Sequence, residues 1–228
     1  PPRNSGPGLE AQGLHVLGNR GETAIRGVSF QVARGEILGF GGVDGNGQVE
    51  LAEALAGVRP VSEGRIIWVG SGPMSTAYIP QDRRADGLAL EMSVQDNLLI
   101  SGHRDPAHSW GPWLRLKGIR VWAQGLIERF SIKVDRPEDQ VGGLSGGNQQ
   151  KVVVSRALET IPDLLVAVNP TRGLDLKATQ FVHEQILHAR EEGAAVVLVS
   201  TDLDELAALA DRTLFLSRGE LSDHLIAA

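Results

Sequence analysis

The chain has no cysteine, which excludes a disulfide framework and any thiolate metal site and is compatible with an intracellular setting. It also lacks long apolar runs. The longest, such as AAVVLV at 194–199, fall far below the roughly 18 residues that span a bilayer. Blocks of about five or six like charges, the usual form of a binding tail, are missing too. With 28 acidic against 22 basic residues and a formal charge of −6, nucleic acid is disfavoured as the main partner. The opening PPRNSGPG shows no charged-then-apolar signal pattern, so residues 1–8 read as a linker or expression remnant. No internal repeat or low-complexity tract stands out. The six histidines (His15, His103, His108, His183, His188, His224) show neither H-x-x-x-H nor carboxylate spacing, so surface or packing roles are expected and metal ligation is not. What is present is 42% hydrophobic content in 228 residues, enough for one substantial core with room for a small second lobe.

LEAQGLHVLG and AIRGVSFQVA alternate apolar and polar residues around the turn-rich NRGE, predicting antiparallel strands from about Leu9 to Ala33. EILGFGG is a short apolar run suited to a buried strand. A glycine loop and the helical QVELAEALAGV follow it, with Gly57 near the helix end. GRIIWVG and TAYIP read as two further strands. The pattern then turns helical over residues ~86–152, interrupted by the Pro-, Gly- and Trp-bearing HRDPAHSWGPWLRLKG. There Trp110 and Trp113 are expected to pack the helical lobe rather than touch a partner. DLLVAV, KATQFVHEQILHAREEG, AAVVLVS, LDELAALADR and TLFLS then alternate strand and helix, which calls for a parallel sheet flanked by helices.

Gly42 to Gly47 has G-x-x-x-x-G spacing, with Gly45 between, after a predicted strand and before a predicted helix. Glycines suit a loop whose backbone N–H groups point inward at phosphate oxygens, where a Cβ would block approach, and the next helix adds its positive end. Gln48 and Val49, however, stand where that chemistry wants a lysine and a hydroxyl. On this stretch alone a plain glycine-rich turn is an equally good reading.

The rest of the chain resembles an ABC-transporter ATPase from about Leu9 to the end. LSGGNQQK at 144–151 is similar to the signature sequence, and NPTRGLD at 169–175 to the end of the Walker B strand running into the D-loop. YIPQDRRADGL at 78–88 is similar to the Q-loop region. GVDGNGQ and PTRGLD look most like the second, C-terminal, degenerate ATPase half of bacterial importers for simple sugars and nucleosides, and GVDGNGQ tilts toward nucleosides. The resemblance implies an α/β fold: a P-loop NTPase of the ABC ATPase type with a mixed or parallel sheet core, an N-terminal antiparallel β-subdomain and an inserted α-helical subdomain. It implies one domain over 9–228. Residues 9–85 and 153–228 would form the nucleotide-binding core, and 86–152 a helical subdomain carrying the signature at its end.

Carried over residue by residue, the resemblance makes Gly42, Gly45, Asn46, Gly47, Gln48 and Val49 the chain's own degenerate phosphate loop. The phosphate-binding lysine becomes Gln48 and the Mg²⁺-ligating hydroxyl becomes Val49. The Walker B aspartate becomes Val168, its neighbouring glutamate Asn169, and the switch histidine Thr201. No aromatic for stacking adenine stands near Leu17–Arg20. Loss of both metal ligands and the base removes the support that phosphoryl transfer requires, so no catalytic residue and no metal are expected at this site. Whether ATP or ADP still binds there stays open. Leu144, Ser145, Gly146, Gly147, Asn148 and Gln149 are implied to act in trans on a partner's ATP, Ser145 through its hydroxyl and Gly147 through its N–H. Mg²⁺ would be held only at the partner's composite site. Gln81 matches the Q-loop glutamine, with coupling to a membrane subunit as its surviving role, and Asp175 the D-loop aspartate. Arg83 and Arg84 are expected to be solvated.

The implied partners are a second ABC ATPase domain, expected as the N-terminal half of the same polypeptide, and transmembrane permease subunits. A substrate-binding protein would act indirectly, and no nucleic acid is expected. The implied location is peripheral, on the cytoplasmic side of the cell membrane. Two alternatives stay in view: an autonomous soluble ABC-type ATPase, as in translation or DNA repair, and a nucleotide-dependent regulatory module. The missing catalytic groups count against the first, and the intact LSGGNQQK against the second.

Overall fold

The computed structural model describes residues 6–102, 106–110 and 113–222. His103, His224 and the side chain of Trp110 lie outside what is described, as does most of the 1–8 segment. In chain order the elements begin β1 (Pro7–Leu17), β2 (Thr23–Ala33), β3 (Ile37–Gly41), α1 (Gln48–Leu55), β4 (Val61–Trp68) and β5 (Thr76–Ile79). A π-helical turn (Arg83–Gly87) precedes α2 (Val94–Gly102), the short strands β6 (Ser109–Trp110) and β7 (Trp113–Leu114), α3 (Leu116–Arg129) and α4 (Gly146–Ala157). Then come β8 (Leu164–Val168), α5 (Leu176–Glu191), β9 (Ala195–Val199), α6 (Leu203–Leu209), β10 (Arg212–Ser217) and β11 (Glu220–Ser222). Two compact units result. Among the described residues, one holds those up to Gln81, Ile161–Pro170 and those from His183 to Ser222; the other holds those between Asp82 and Thr160 together with Thr171–Val182.

In the first unit β3, β8 and β9 are apolar runs buried at every position, the mark of strands covered on both faces. They sit in a six-stranded sheet of order β11-β10-β3-β9-β8-β5, parallel except where β11 turns back on β10. A separate antiparallel sheet has order β2-β1-β4. Its apolar positions switch parity part-way along each strand. Leu9 and Ala11 are buried, then Leu14 and Val16; Ile25 is buried, then Val28, Phe30 and Val32. Period-two alternation allows such a switch only at a bulge. The pairing register shifts between Ala11 and Leu14, and Gly13 and Gly27 adopt φ of 57° and 64°. With these bulges Leu9, Ala11, Leu14 and Val16 of β1 and Ile25, Val28, Phe30 and Val32 of β2 all turn to one core shared with Phe40, Leu51, Val166 and Val197. Only Leu17 at the end of β1 is left exposed among the large apolar side chains of the two strands.

The β5 and β8 starts are pinned by a reciprocal exchange. Asp163 Oδ2 accepts from the Ser75 N–H and hydroxyl, both at 2.9 Å, while the Asp163 N–H donates back to Ser75 Oγ at 2.9 Å. The hydrogen bond from the Ser75 N–H is the main reason the Asp163 carboxyl sits below its ordinary value, with Arg34 adding to it. A depressed carboxylate contributes stability that is present above its unfolded value and lost as pH falls through the folded one. Asp163→Ala is therefore expected to lower Tm by about 2–4 °C at neutral pH, on the order of 1 kcal/mol for a chain this size. The gap to wild type should begin to narrow in thermal melts only as pH falls below ~4, and close below the depressed folded value.

The second unit is built on α2, α3 and α4. On α3 the buried residues Ile119, Ala123, Leu126 and Ile127 recur at helical spacing, and Val94, Leu98, Val152 and Val153 are buried on the helices it accompanies. Arg156 is largely buried, and its guanidinium donates to Gly87 O at 2.7 Å, so the π-helical turn is tied to α4. Trp113 departs from expectation. It is 74% exposed and packs no core, because the two-residue strands β6 and β7 hold it on the surface; Trp122 does the packing instead, against His108 at 4.4 Å between rings. Among the described elements the sequence reading missed the strands β6, β7 and β11 and the π-helical turn, all too short to show a period.

Candidate functional site

The glycine loop leaves β3 and enters α1, as its spacing predicts. Gly42, Gly45 and Gly47 adopt φ of 138°, 87° and 102°. Gly47 has no room for a side chain: a Cβ there would lie 2.5 Å from the Ala24 carbonyl and 2.8 Å from Ile25. Asn46 is tied to the β10–β11 turn, with its Oδ1 accepting from the Arg218 N–H at 2.7 Å and its carbonyl from the Gly219 N–H at 3.0 Å. Gln48 is only 6% exposed and folds back into the loop. Its Oε1 accepts from the Asn46 N–H at 3.1 Å, and its Nε2 donates to the Val43 carbonyl at 3.0 Å. Val49 packs against the core and offers no oxygen.

At the ends of β8 and β9 the structure brings together three residues singled out in the sequence. Val168 is fully buried and contributes only to the core. Asn169, at φ 43°, accepts through Oδ1 from the Thr201 N–H at 2.9 Å and the Thr201 hydroxyl at 3.3 Å. Its Nδ2 donates to Gln81 Oε1 at 3.2 Å. Gln81, Asn169 and Thr201 thus form one neutral network in which each amide is occupied by its neighbour. Together with Gly42, Gly45 and Gln48 they line a cleft of about 90 Å³. No group of His, Asp or Glu able to hold a metal occurs among the described residues. An asparagine amide cannot take a proton at neutral pH, so the cleft contains no general base at the position where one is implied.

One part of this region escaped the sequence reading. Ser200 donates its hydroxyl to Glu205 Oε2 at 2.6 Å, and the other oxygen of Glu205 lies 3.1 Å from His183 Nε2. Asp202 caps α6 by accepting from the Asp204 N–H at 2.9 Å, and its own N–H bonds Ser200 Oγ at 3.0 Å. This buried chain fixes the turn that presents Thr201. The capping pattern S-T-D-L-D-E was the available signal; the histidine, 22 residues away in sequence, gave none.

In the second unit Ser145 is exposed and caps α4, with its Oγ 3.4 Å from the Asn148 N–H and 3.0 Å from Asn148 Nδ2. Leu144 leads into it in extended conformation. A Cβ on Gly146 would meet the far end of the Arg83 side chain at 2.8 Å, and one on Gly147 would meet Ala178 at 3.1 Å, so both glycines sit close against neighbouring side chains. Asn148 accepts from the Lys133 N–H at 2.9 Å. Gln149 turns inward: it is 1% exposed and its amide reaches the Val141 and Gly142 carbonyls at 3.3 and 3.4 Å. Its side chain therefore holds up the segment before the serine rather than facing a ligand. Arg83 departs from the solvated role expected of it, because its Nη1 donates to the Arg172 carbonyl at 3.1 Å. Asp175 is exposed and caps α5 through the Ala178 N–H at 2.8 Å. The helix end behind Ser145 supplies a partial positive charge and a hydroxyl, a combination that suits an anion.

The profile of the ABC transporter family matches residues 25–172. A nucleoside import ATP-binding protein of Lactococcus lactis is 35% identical over 93% of this chain and 44% of its own length. A glucose import ATP-binding protein of Haloferax volcanii is 39% identical over 94% of this chain and 41% of its own length. The chain thus spans less than half of these curated relatives. Among solved structures, a dimeric ATP-binding cassette in a post-hydrolysis state bound to ADP and Pi matches with a TM-score of 0.78 at 19% identity, covering 96% of this chain and 99% of that one. At that identity the likeness is one of fold.

Proposed function

This chain belongs to the ABC transporter family of ATP-binding domains, and from that premise we propose that it is the non-hydrolytic half of an importer ATPase for nucleosides or simple sugars. It lends its signature to a partner's nucleotide. The observation that carries this reading is a contrast between two sets of residues. Ser145 stands exposed at a helix end, while the chain's own cleft holds Gln48, Val49, Asn169 and Thr201, with Val168 buried beside it, where charge and metal ligands would be needed.

In this reading ATP and Mg²⁺ lie on a second ATPase domain, with Ser145 and Gly147 donating to the γ-phosphate. Donors aimed at that group stabilise the charge that builds on it in the transition state. The Gln81 and Asp175 segments face the permease and the partner ATPase, and the assembly works at the cytoplasmic face of a membrane. No helix among the described residues is long and apolar enough to cross a bilayer, and in this reading transmembrane permease subunits provide the path.

The test is Mg²⁺-dependent phosphate release. This chain alone is expected to show none above background, and Gln48→Lys is expected to restore none, because the metal ligands and base remain absent. Normal turnover by the chain alone would refute the proposal.

A further inference from the structure

The phosphate loop is already occupied by part of the chain itself. We propose that the Gln48 side-chain amide is a built-in ligand of the loop, filling the place of a nucleotide phosphate and making the loop reject one. Absence of hydrolysis follows from missing metal ligands and base; this inference goes further and concerns binding itself.

A phosphate loop works by presenting backbone N–H donors to an anion, with a side-chain cation to neutralise it. The Gln48 amide satisfies the loop from both directions. Its Oε1 takes the Asn46 N–H as a phosphate oxygen would, and its Nε2 gives a proton to the Val43 carbonyl. The amide lies across the loop, since Nε2 is 2.7 Å from the point where a Cβ on Gly42 would stand. It is a buried side chain rather than a surface rotamer. Asn46 cannot turn its N–H elsewhere, because its side chain and carbonyl are tied to Arg218 and Gly219.

An arriving phosphate would have to displace two hydrogen bonds from a partner that is covalently tethered and therefore always present. It would gain little in exchange. The other polar side chains lining the cleft are Asp44, Glu50, Gln81, Asn169, Ser200 and Thr201, two of them acidic and none cationic. The cleft, at about 90 Å³, is well below the roughly 300 Å³ at which small-molecule sites begin.

The experiment titrates the 228-residue chain with inorganic pyrophosphate and with Mg²⁺-free ATP by calorimetry, and follows exchange of the Asn46 amide proton by NMR. Wild type is expected to bind neither at millimolar concentration and to protect the Asn46 proton. In Gln48→Ala, and in Gln48→Asn, whose shorter side chain cannot span Val43 and Asn46, pyrophosphate binding should tighten at least tenfold and the proton should exchange faster. A folded Gln48→Ala variant with no gain in binding overturns the proposal, and so does equal exchange in the two proteins. If neither variant folds, wild type still decides: pyrophosphate binding that shifts the Asn46 resonance overturns the proposal, and a protected, unresponsive amide sustains it. The readout is binding by this chain and responds to Gln48, whereas the in-trans role is read as turnover by an assembled pair and responds to Ser145. Either can fail without the other.

Discussion

Ser145→Arg is expected to abolish ATP hydrolysis by the assembled pair, with a loss of at least 100-fold in kcat. Removing one preorganised donor to a developing negative charge costs about 10²–10³ in rate, and a long side chain at this exposed position also holds the two domains apart. The substitution has a structural side effect, because Ser145 is the cap of α4. Losing a serine cap costs about 0.5–2 kcal/mol, which at this chain length lowers Tm by a few degrees. Ser145→Asp separates the two roles. Aspartate is as good a cap as serine, so Tm should hold, yet its charge faces the partner's triphosphate and turnover should fall as steeply. Undiminished turnover in Ser145→Asp would remove the in-trans role, whereas a fall in Tm without a fall in turnover would leave Ser145 as a cap alone.

Gly47→Ala should destabilise the fold strongly for a single added methyl group. The residue sits at φ 102°, where an L side chain costs on the order of 1–3 kcal/mol, and the new Cβ would press on the Ala24 carbonyl at 2.5 Å. Together these predict a loss of about 2–4 kcal/mol, read as a drop in Tm of about 5–15 °C. Gly45→Ala is the control. Gly45 also has positive φ, at 87°, but faces open space, so only the conformational cost applies. If the two substitutions melt alike, close packing is not what fixes the loop.

Much of the architecture was legible because it rests on periodicity. ILGFG, LLVAV and AVVLV are uninterrupted apolar runs, and each became a fully buried strand of the parallel sheet. The turn at 42–47 was legible from its glycines between a strand and a helix, and the segment at 144–151 only through its resemblance to a family motif. What stayed hidden was whatever depends on where a side chain points. Nothing in the order Asn46-Gly47-Gln48 announces that the glutamine folds backward onto Asn46. Gln149 stands in a motif that the resemblance aims at a ligand, yet its long side chain finds carbonyls inside the unit. The union of Gln81, Asn169 and Thr201 spans 120 residues of chain and was foreseeable only through the resemblance. Trp113 misled because aromatic residues are usually buried, a tendency that a two-residue strand is too short to enforce.

The tie between Asn46 and the β10–β11 turn has a practical consequence for anyone trimming or tagging this polypeptide. A stop codon placed after Ser217 deletes the Arg218 and Gly219 donors, and with them two tethers of a loop more than 170 positions upstream. Reporter fusions and deletions at the carboxyl end should therefore begin no earlier than Ser222.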